Sequence, residues 1–181
     1  MQSGVRHFSL KFIDIMIGVV LGLGFQWWPA LTEPWQYIAF VFVYIDIIDY
    51  WIDYGPALRK FPPKREFDII LDVANMFGLF LYIYTTQLSI GYFLASFIVF
   101  KLIDLFWLIR VHAEYHPRGI KGLFVSTWIT TNLLEAVAVA GLIAAVIHFA
   151  LLPGTALIIF IIINVGLRVL ASSRYRQLYF V

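Results

Sequence analysis

The stretch YIDIIDYWIDYGPALRK, residues 44–60, decides how the chain is interpreted. It lies within a long apolar segment, yet it carries Asp46, Asp49 and Asp53. An ionised carboxylate in the hydrocarbon of a membrane costs several kcal/mol unless it faces water, a cation or another partner. The three aspartates are spaced i, i+3 and i+7, so they share one face of a helix. That face is predicted to line a polar interior.

The rest of the chain is strongly apolar. Of its 181 residues, 62% are hydrophobic and 13% are charged, and the mean hydropathy is +0.87. A soluble domain has about 25% charged residues, and a helix needs roughly 20 apolar residues to cross a bilayer. The composition predicts an integral membrane protein with one transmembrane domain over residues 1–181. Because cysteine is absent, disulfides and thiolate metal sites are excluded.

Six membrane-spanning helices are predicted, which makes the fold all-α and polytopic. Prolines, glycines and polar clusters separate the apolar segments, and the Gly55-Pro56 pair is expected to end the second helix. The predicted helices lie near residues 12–30, 36–54, 67–86, 89–110, 122–149 and 153–171.

Basic residues occupy alternate connections between these helices. The connections at 31–35, 85–90 and 149–154 contain no Lys or Arg. The basic residues outside the helices, or at their ends, are Arg6, Lys11, Arg59, Lys60, Lys64, Arg65, Arg110, Arg118, Lys121, Arg174 and Arg176. The positive-inside rule then predicts that both termini are cytoplasmic. Aromatic residues are expected at the two membrane interfaces: Trp27, Trp28, Trp35 and Tyr37 outside, and Trp51, Tyr54 and Trp107 inside.

Acidic residues are concentrated near the cytoplasmic ends of the helices. Those inside the predicted helices are Asp14, Asp46, Asp49, Asp53, Asp68, Asp72, Asp104 and Glu135. Lys101 and Arg168 are the only cations within the spans, so most carboxylates must be protonated, hydrated or facing a cation. We expect a water-accessible acidic cavity, with Lys101 and Asp104 (i, i+3) as an internal ion pair. For Asp53 and Asp68, at helix ends, simple solvation is the alternative.

A cation pathway is one use of such a cavity, since carboxylates concentrate cations. The first helix has Gly18 and Gly22 in a spacing suited to close packing, and Ile17 and Leu21 could form a hydrophobic constriction. Ordinary helix packing is the alternative. The candidate pathway residues are Asp14, Ile17, Leu21, Asp46, Asp49, Asp72 and Glu135.

Several motifs resemble the endolysosomal potassium channels and their prokaryotic homologues, a six-helix family without a TVGYG filter. Phe12 and Asp14, downstream of Arg6, resemble the Phe-Ser-Asp signature of the first helix, with Ile13 at the serine position. DYWIDY at 49–54 is similar to a Tyr-Trp-x-x-His element, and LDVANMFGLFLY carries a matching asparagine in the third helix. The resemblance implies a homo-oligomeric, potassium-type channel in a prokaryotic plasma membrane, lined by the first helix.

A second resemblance is to the magnesium-dependent CDP-alcohol phosphotransferases, which are also six-helix proteins. Their D-x-x-D-G-x-x-A-R signature is similar to DYWIDYGPALR, followed here by DIILD. This resemblance implies a metal site formed by Asp49, Asp53, Asp68 and Asp72. A proton-coupled carrier or an accessory membrane subunit is a third interpretation. No cofactor is expected for the channel, and no basic patch predicts a nucleic-acid partner; the expected partners are the lipid bilayer, small cations and further copies of the chain.

Overall fold

The computed structural model describes the backbone of residues 2–175 and the side chains of residues 11–174. This part of the chain is helical and contains no strand, so the all-α prediction is confirmed for it. The helices are α1 (Gln2–Gly24), α2 (Pro34–Lys60), α3 (Glu66–Tyr84), α4 (Ile90–Tyr115), α5 (Ile120–Phe149) and α6 (Pro153–Tyr175). Short 3-10 helices at Phe25–Ala30 and Thr85–Gln87 extend α1 and α3. Arg176 and the side chain of Arg6, used to predict the orientation, lie outside these described ranges.

Five helical segments are long and apolar enough to cross a membrane, which makes the fold compatible with an integral membrane protein. They are Lys11–Ala30, Glu66–Gln87, Ile90–Tyr115, Ile120–Phe149 and Pro153–Arg174. The 27-residue α2 is as long as these segments, but its aspartates and other polar residues lower its hydropathy.

The second helix continues past the end predicted for it. Pro56 lies inside α2, which ends at Lys60 instead of near residue 54. A proline removes one backbone hydrogen bond of a helix. The last turn is nevertheless held because Ala57 and Leu58 are buried in the core, and the N–H of Phe61 donates to the carbonyl of Ala57 at 2.8 Å. Tertiary burial therefore overrides the local proline signal.

α4 lies at the centre of the bundle and packs against α3, α5 and α6. Aromatic rings fill this core: Tyr82 stacks on Phe93 with centroids 5.3 Å apart, and Phe97 meets Phe160 edge-on at 4.8 Å. Of the aromatics predicted at the two membrane interfaces, Trp35, Tyr54 and Trp107 are buried between the helices. Trp28, Tyr37 and Trp51 are exposed, as expected for interface residues.

The end of α1 approaches α2 and α3 closely at Gly24. Tyr44 donates its hydroxyl to the carbonyl of Leu21 at 2.6 Å. A Cβ atom at Gly24 would lie 2.5 Å from that hydroxyl oxygen and 3.0 Å from the Cγ2 of Ile83. Two residues earlier, a Cβ at Gly22 would meet nothing within 4 Å. Gly24 is therefore required for packing, whereas Gly22 is not.

Gly24→Ala is expected to lower the free energy of unfolding by about 1–3 kcal/mol, the usual cost of overpacking, because the new methyl group displaces Tyr44 from Leu21. Thermal unfolding of the purified protein in detergent measures this effect. Gly22→Ala is the matched control, and it should leave stability unchanged or raise it by about 1 kcal/mol through helix propensity. Equal losses in both variants would contradict the close approach at Gly24.

Candidate functional site

The three aspartates of α2 converge on one arginine of α6. The guanidinium of Arg168 lies 2.6 Å from Asp49, 3.2 Å from Asp46 and 3.9 Å from Asp53. The other face of the guanidinium lies against the ring of Trp128 on α5, 4.9 Å from its centroid. The helical stripe in the sequence therefore corresponds to a cluster around a cation that is more than 100 residues away in the chain.

These groups line a groove of about 360 Å³ between α2 and α6, which we call the α2–α6 groove. Its apolar walls are formed by Phe42, Ile45, Val165 and Val169, and Ser172 and Asn164 complete the lining. Asp46 is buried, whereas 54% of the Asp49 side chain is exposed. With all groups ionised, three carboxylates and one guanidinium give the groove a net charge of −2.

Asn164 adds a buried side-chain amide whose nitrogen lacks a hydrogen-bond partner in the described part of the chain. It is 2% exposed and lines the α2–α6 groove. A buried amide without a partner costs roughly 1–3 kcal/mol, so a ligand or water in the groove would relieve this cost.

A second cationic side chain is buried inside the helical bundle. Lys101 of α4 lies 2.7 Å from Glu135 of α5, and both side chains are at most 1% exposed. The ammonium group also lies 5.0 Å from the ring centroid of Phe97 and 5.4 Å from that of Phe100. The structure thus pairs Lys101 with Glu135 instead of with the predicted Asp104. The i, i+3 spacing suggested a local pair, but the partner is on the neighbouring helix.

Asp104 is bound by two neutral donors. Tyr50 of α2 donates its hydroxyl to Oδ1 at 3.1 Å, and Asn132 of α5 donates its amide to Oδ2 at 2.6 Å. All three side chains are buried. Nothing in the sequence pattern indicated Tyr50 as a partner of Asp104.

Asp72 of α3 has a similar arrangement. Tyr54 donates its hydroxyl to Asp72 at 2.7 Å, and its ring stacks on that of Tyr50 with centroids 4.9 Å apart. Two adjacent tyrosine–aspartate pairs therefore connect α2 to its neighbours. Tyr54 reaches Asp72 on α3, and Tyr50 reaches Asp104 on α4. The ring of Tyr54, which was predicted near the inner membrane interface, is part of this buried polar network.

Asp68 has a structural role at the start of α3. One of its oxygens accepts the backbone N–H groups of Lys64 and Arg65 at 3.0 and 2.9 Å. The other accepts from Arg110 at 3.1 Å, and Arg110 also pairs with Glu114 at 2.6 Å. The hydroxyl of Tyr115 donates to the carbonyl of Pro62. These contacts fasten the basic 61–68 loop to the end of α4.

The four aspartates of the predicted magnesium site are not gathered at one point. Asp49 and Asp53 face Arg168, Asp72 binds Tyr54, and Asp68 caps α3. Within residues 11–174, no group of three or more His, Cys, Asp or Glu side chains has the geometry to hold a metal ion. The arrangement does not favour the lipid-enzyme interpretation.

The pathway residues predicted on α1 point in different directions. Asp14 is exposed and accepts the indole N–H of Trp51 at 3.0 Å. Ile17 is 4% exposed and belongs to the hydrophobic core, and Leu21 packs partly against the same core. Gly18 and Gly22 have open space above them. In this chain Ile17 and Leu21 act as packing residues, which was the alternative considered for them.

The ion pair between Lys101 and Glu135 should show strong energetic coupling. Lys101→Met alone leaves a carboxylate buried without its cation and should cost about 3–5 kcal/mol of unfolding free energy. The double variant Lys101→Met/Glu135→Leu should recover most of this loss, because an apolar pair needs no counter-charge. Unfolding in detergent of both single variants and the double variant gives the coupling energy. Costs that simply add in the double variant would contradict the pairing.

Comparison with known protein families, with curated proteins and with solved structures found no match to this chain. Its function therefore has to be inferred from the α2–α6 groove and from the buried charges that surround it.

Proposed function

We propose that this chain is an integral membrane protein that transports a small cation, in the manner of a potassium-type channel, through the α2–α6 groove. The observation that carries the proposal is the convergence of Asp46, Asp49 and Asp53 on Arg168 in a groove of about 360 Å³. Carboxylates outnumber the cation there by three to one. Excess negative charge in a narrow, partly apolar groove concentrates cations.

The distribution of polar and apolar residues supports placement in a membrane. Charged side chains such as Lys101, Glu135 and Arg168 are buried between the helices. Large apolar side chains point outward along the helices, among them Ile15, Phe77, Phe106, Val137, Ile158 and Ile162. A water-soluble monomer rarely exposes apolar patches of more than a few hundred Å², whereas lipid favours this arrangement. The basic ends of the helices then suggest that the groove faces the cytoplasmic half of the membrane.

Arg168 would act as the resident cation of the groove. Two unit charges 4 Å apart interact by about 4 kcal/mol at an effective dielectric constant of 20, so an incoming cation can compete with Arg168 for a shared carboxylate. A cation would first meet the exposed Asp49 and would then reach the buried Asp46. The side-chain amide of Asn164 would orient the water that accompanies the ion.

The burial of Ile17 argues against a pore lined by α1. A constriction on α1 needs Ile17 to face outward from the subunit, and its side chain is 4% exposed. The α2–α6 groove supports the proposal better, because three carboxylates line it. We therefore propose that the cation pathway is formed by α2 and α6.

Ion flux into liposomes that contain the purified protein tests the proposal. Potassium, sodium and proton gradients are applied in turn to wild type, Asp49→Asn and Glu66→Gln. Asp49→Asn should lower cation flux by at least about tenfold, since loss of one carboxylate weakens cation binding by more than 1.4 kcal/mol. Glu66→Gln removes an exposed carboxylate that does not line the α2–α6 groove, and it is the matched control.

Two results would overturn the proposal. One is the absence of flux for every ion from protein that is folded and correctly inserted. The other is equal flux in wild type and Asp49→Asn.

A further inference from the structure

A small cavity links the α2–α6 groove to the centre of the bundle. It measures about 20 Å³ and is lined by Tyr50, Asp53, Tyr54, Asp104, Trp107 and Trp128, among others. A cavity of at least about 10–15 Å³ with polar partners can hold one water molecule. Asp53 lines both this cavity and the α2–α6 groove, so it lies between Asp104 and the ions in the groove.

We propose that Asp104 is a proton-binding site, and that protons reach it from the α2–α6 groove through Asp53 and this water-sized cavity. The proton site is independent of the proposed cation transport, whereas its coupling to the cation rests on that function.

The surroundings of Asp104 favour a neutral carboxyl group. Its side chain is buried, and both of its hydrogen-bond donors, Tyr50 and Asn132, are uncharged. The nearest lysine, Lys101, is committed to Glu135 at 2.7 Å. An isolated buried carboxylate is strongly disfavoured without a paired cation, and protonation is the ordinary solution. A proton on Asp104 would therefore relieve the cost of burying its charge.

The partners of Asp104 can serve both protonation states. Asn132 donates its amide nitrogen to the carboxylate, and its own buried carbonyl oxygen has no hydrogen-bond partner in the described part of the chain. A half-turn of this amide presents the oxygen instead, which then accepts the proton of a neutral carboxyl group. The hydroxyl of Tyr50 can likewise donate or accept. No hydrogen bond has to be lost when Asp104 changes its charge.

Titratable or charged groups approach Asp104 from each helix packed around it. They are Tyr50, Asp53 and Tyr54 on α2, Asp72 on α3, Lys101 on α4, Glu135 on α5 and Arg168 on α6. A proton would pass from water in the groove to the Asp53 carboxylate, then to the cavity water, and then to Asp104. One proton leaves the groove and binds to the Asp104 carboxylate, which becomes neutral. No other reactant is needed.

Cation and proton should therefore compete. A cation beside Asp53 disfavours a second positive charge nearby and so favours ionised Asp104. Linkage requires the reciprocal effect, in which a proton on Asp104 weakens cation binding in the groove. Cation flux through the groove would therefore fall when Asp104 is protonated at low pH.

Infrared difference spectra recorded across a pH titration test the proton site directly. Wild type should show the carbonyl stretch of a protonated carboxyl group, and Asp104→Asn should lose that band. Glu66→Gln, which removes an exposed carboxylate, should keep it. Tyr50→Phe guards against misfolding of Asp104→Asn, because it should retain the band but shift it to higher frequency through loss of one hydrogen bond. Asp53→Asn should retain the band but slow its appearance after a pH jump.

A band that is unchanged in Asp104→Asn and in Tyr50→Phe would overturn the proton site. The liposome flux measurement decides the cation function separately, so the two failures are distinguishable. Where flux is present, it should fall as the pH is lowered in wild type, and Asp104→Asn should abolish this pH dependence. Cation flux that does not change with pH in wild type would overturn the coupling.

Discussion

Every charged side chain buried between these helices has to recover the free energy that it loses on leaving water. Lys101 does so with Glu135, and Arg168 does so with Asp46 and Asp49. The first pair joins α4 to α5, and the second joins α2 to α6. Ion pairs tolerate only small changes in distance before the attraction no longer offsets desolvation. The two cations therefore set the rotation and relative height of four helices.

The other buried carboxyl groups also need partners, and they find them in hydrogen bonds from tyrosines. Asp72 and Asp104 accept hydrogen bonds from Tyr54 and Tyr50, whose stacked rings keep the two hydroxyls side by side. Tyrosine suits this position because its ring packs in an apolar core while its hydroxyl reaches a partner. The buried network therefore joins α2 to α3 and α4 within an apolar bundle.

Local spacing predicted what lies within one helix, and it failed for what lies between helices. The i, i+3, i+7 pattern correctly placed Asp46, Asp49 and Asp53 on one face, because a helix has a fixed period. The same logic paired Lys101 with Asp104, yet Glu135 is the partner. Which helix lies beside α4, and at what height, depends on packing of the whole bundle. Pro56 shows the same limit, since burial of the following residues overrode its local helix-ending signal.

The two buried cations differ in the number and the exposure of their carboxylate partners. Lys101 pairs with one carboxylate, and its side chain is 1% exposed, which is sufficient for a structural pair. Arg168 has three carboxylates within 4 Å, and one of them is more than half exposed. The three carboxylates repel one another, and one arginine does not neutralise all of them. The cation transport proposed above would use this excess of negative charge, because an incoming cation could share these carboxylates with Arg168. Asp53, the most distant of the three and the one that also lines the inner cavity, is the carboxylate that an ion and a proton would share.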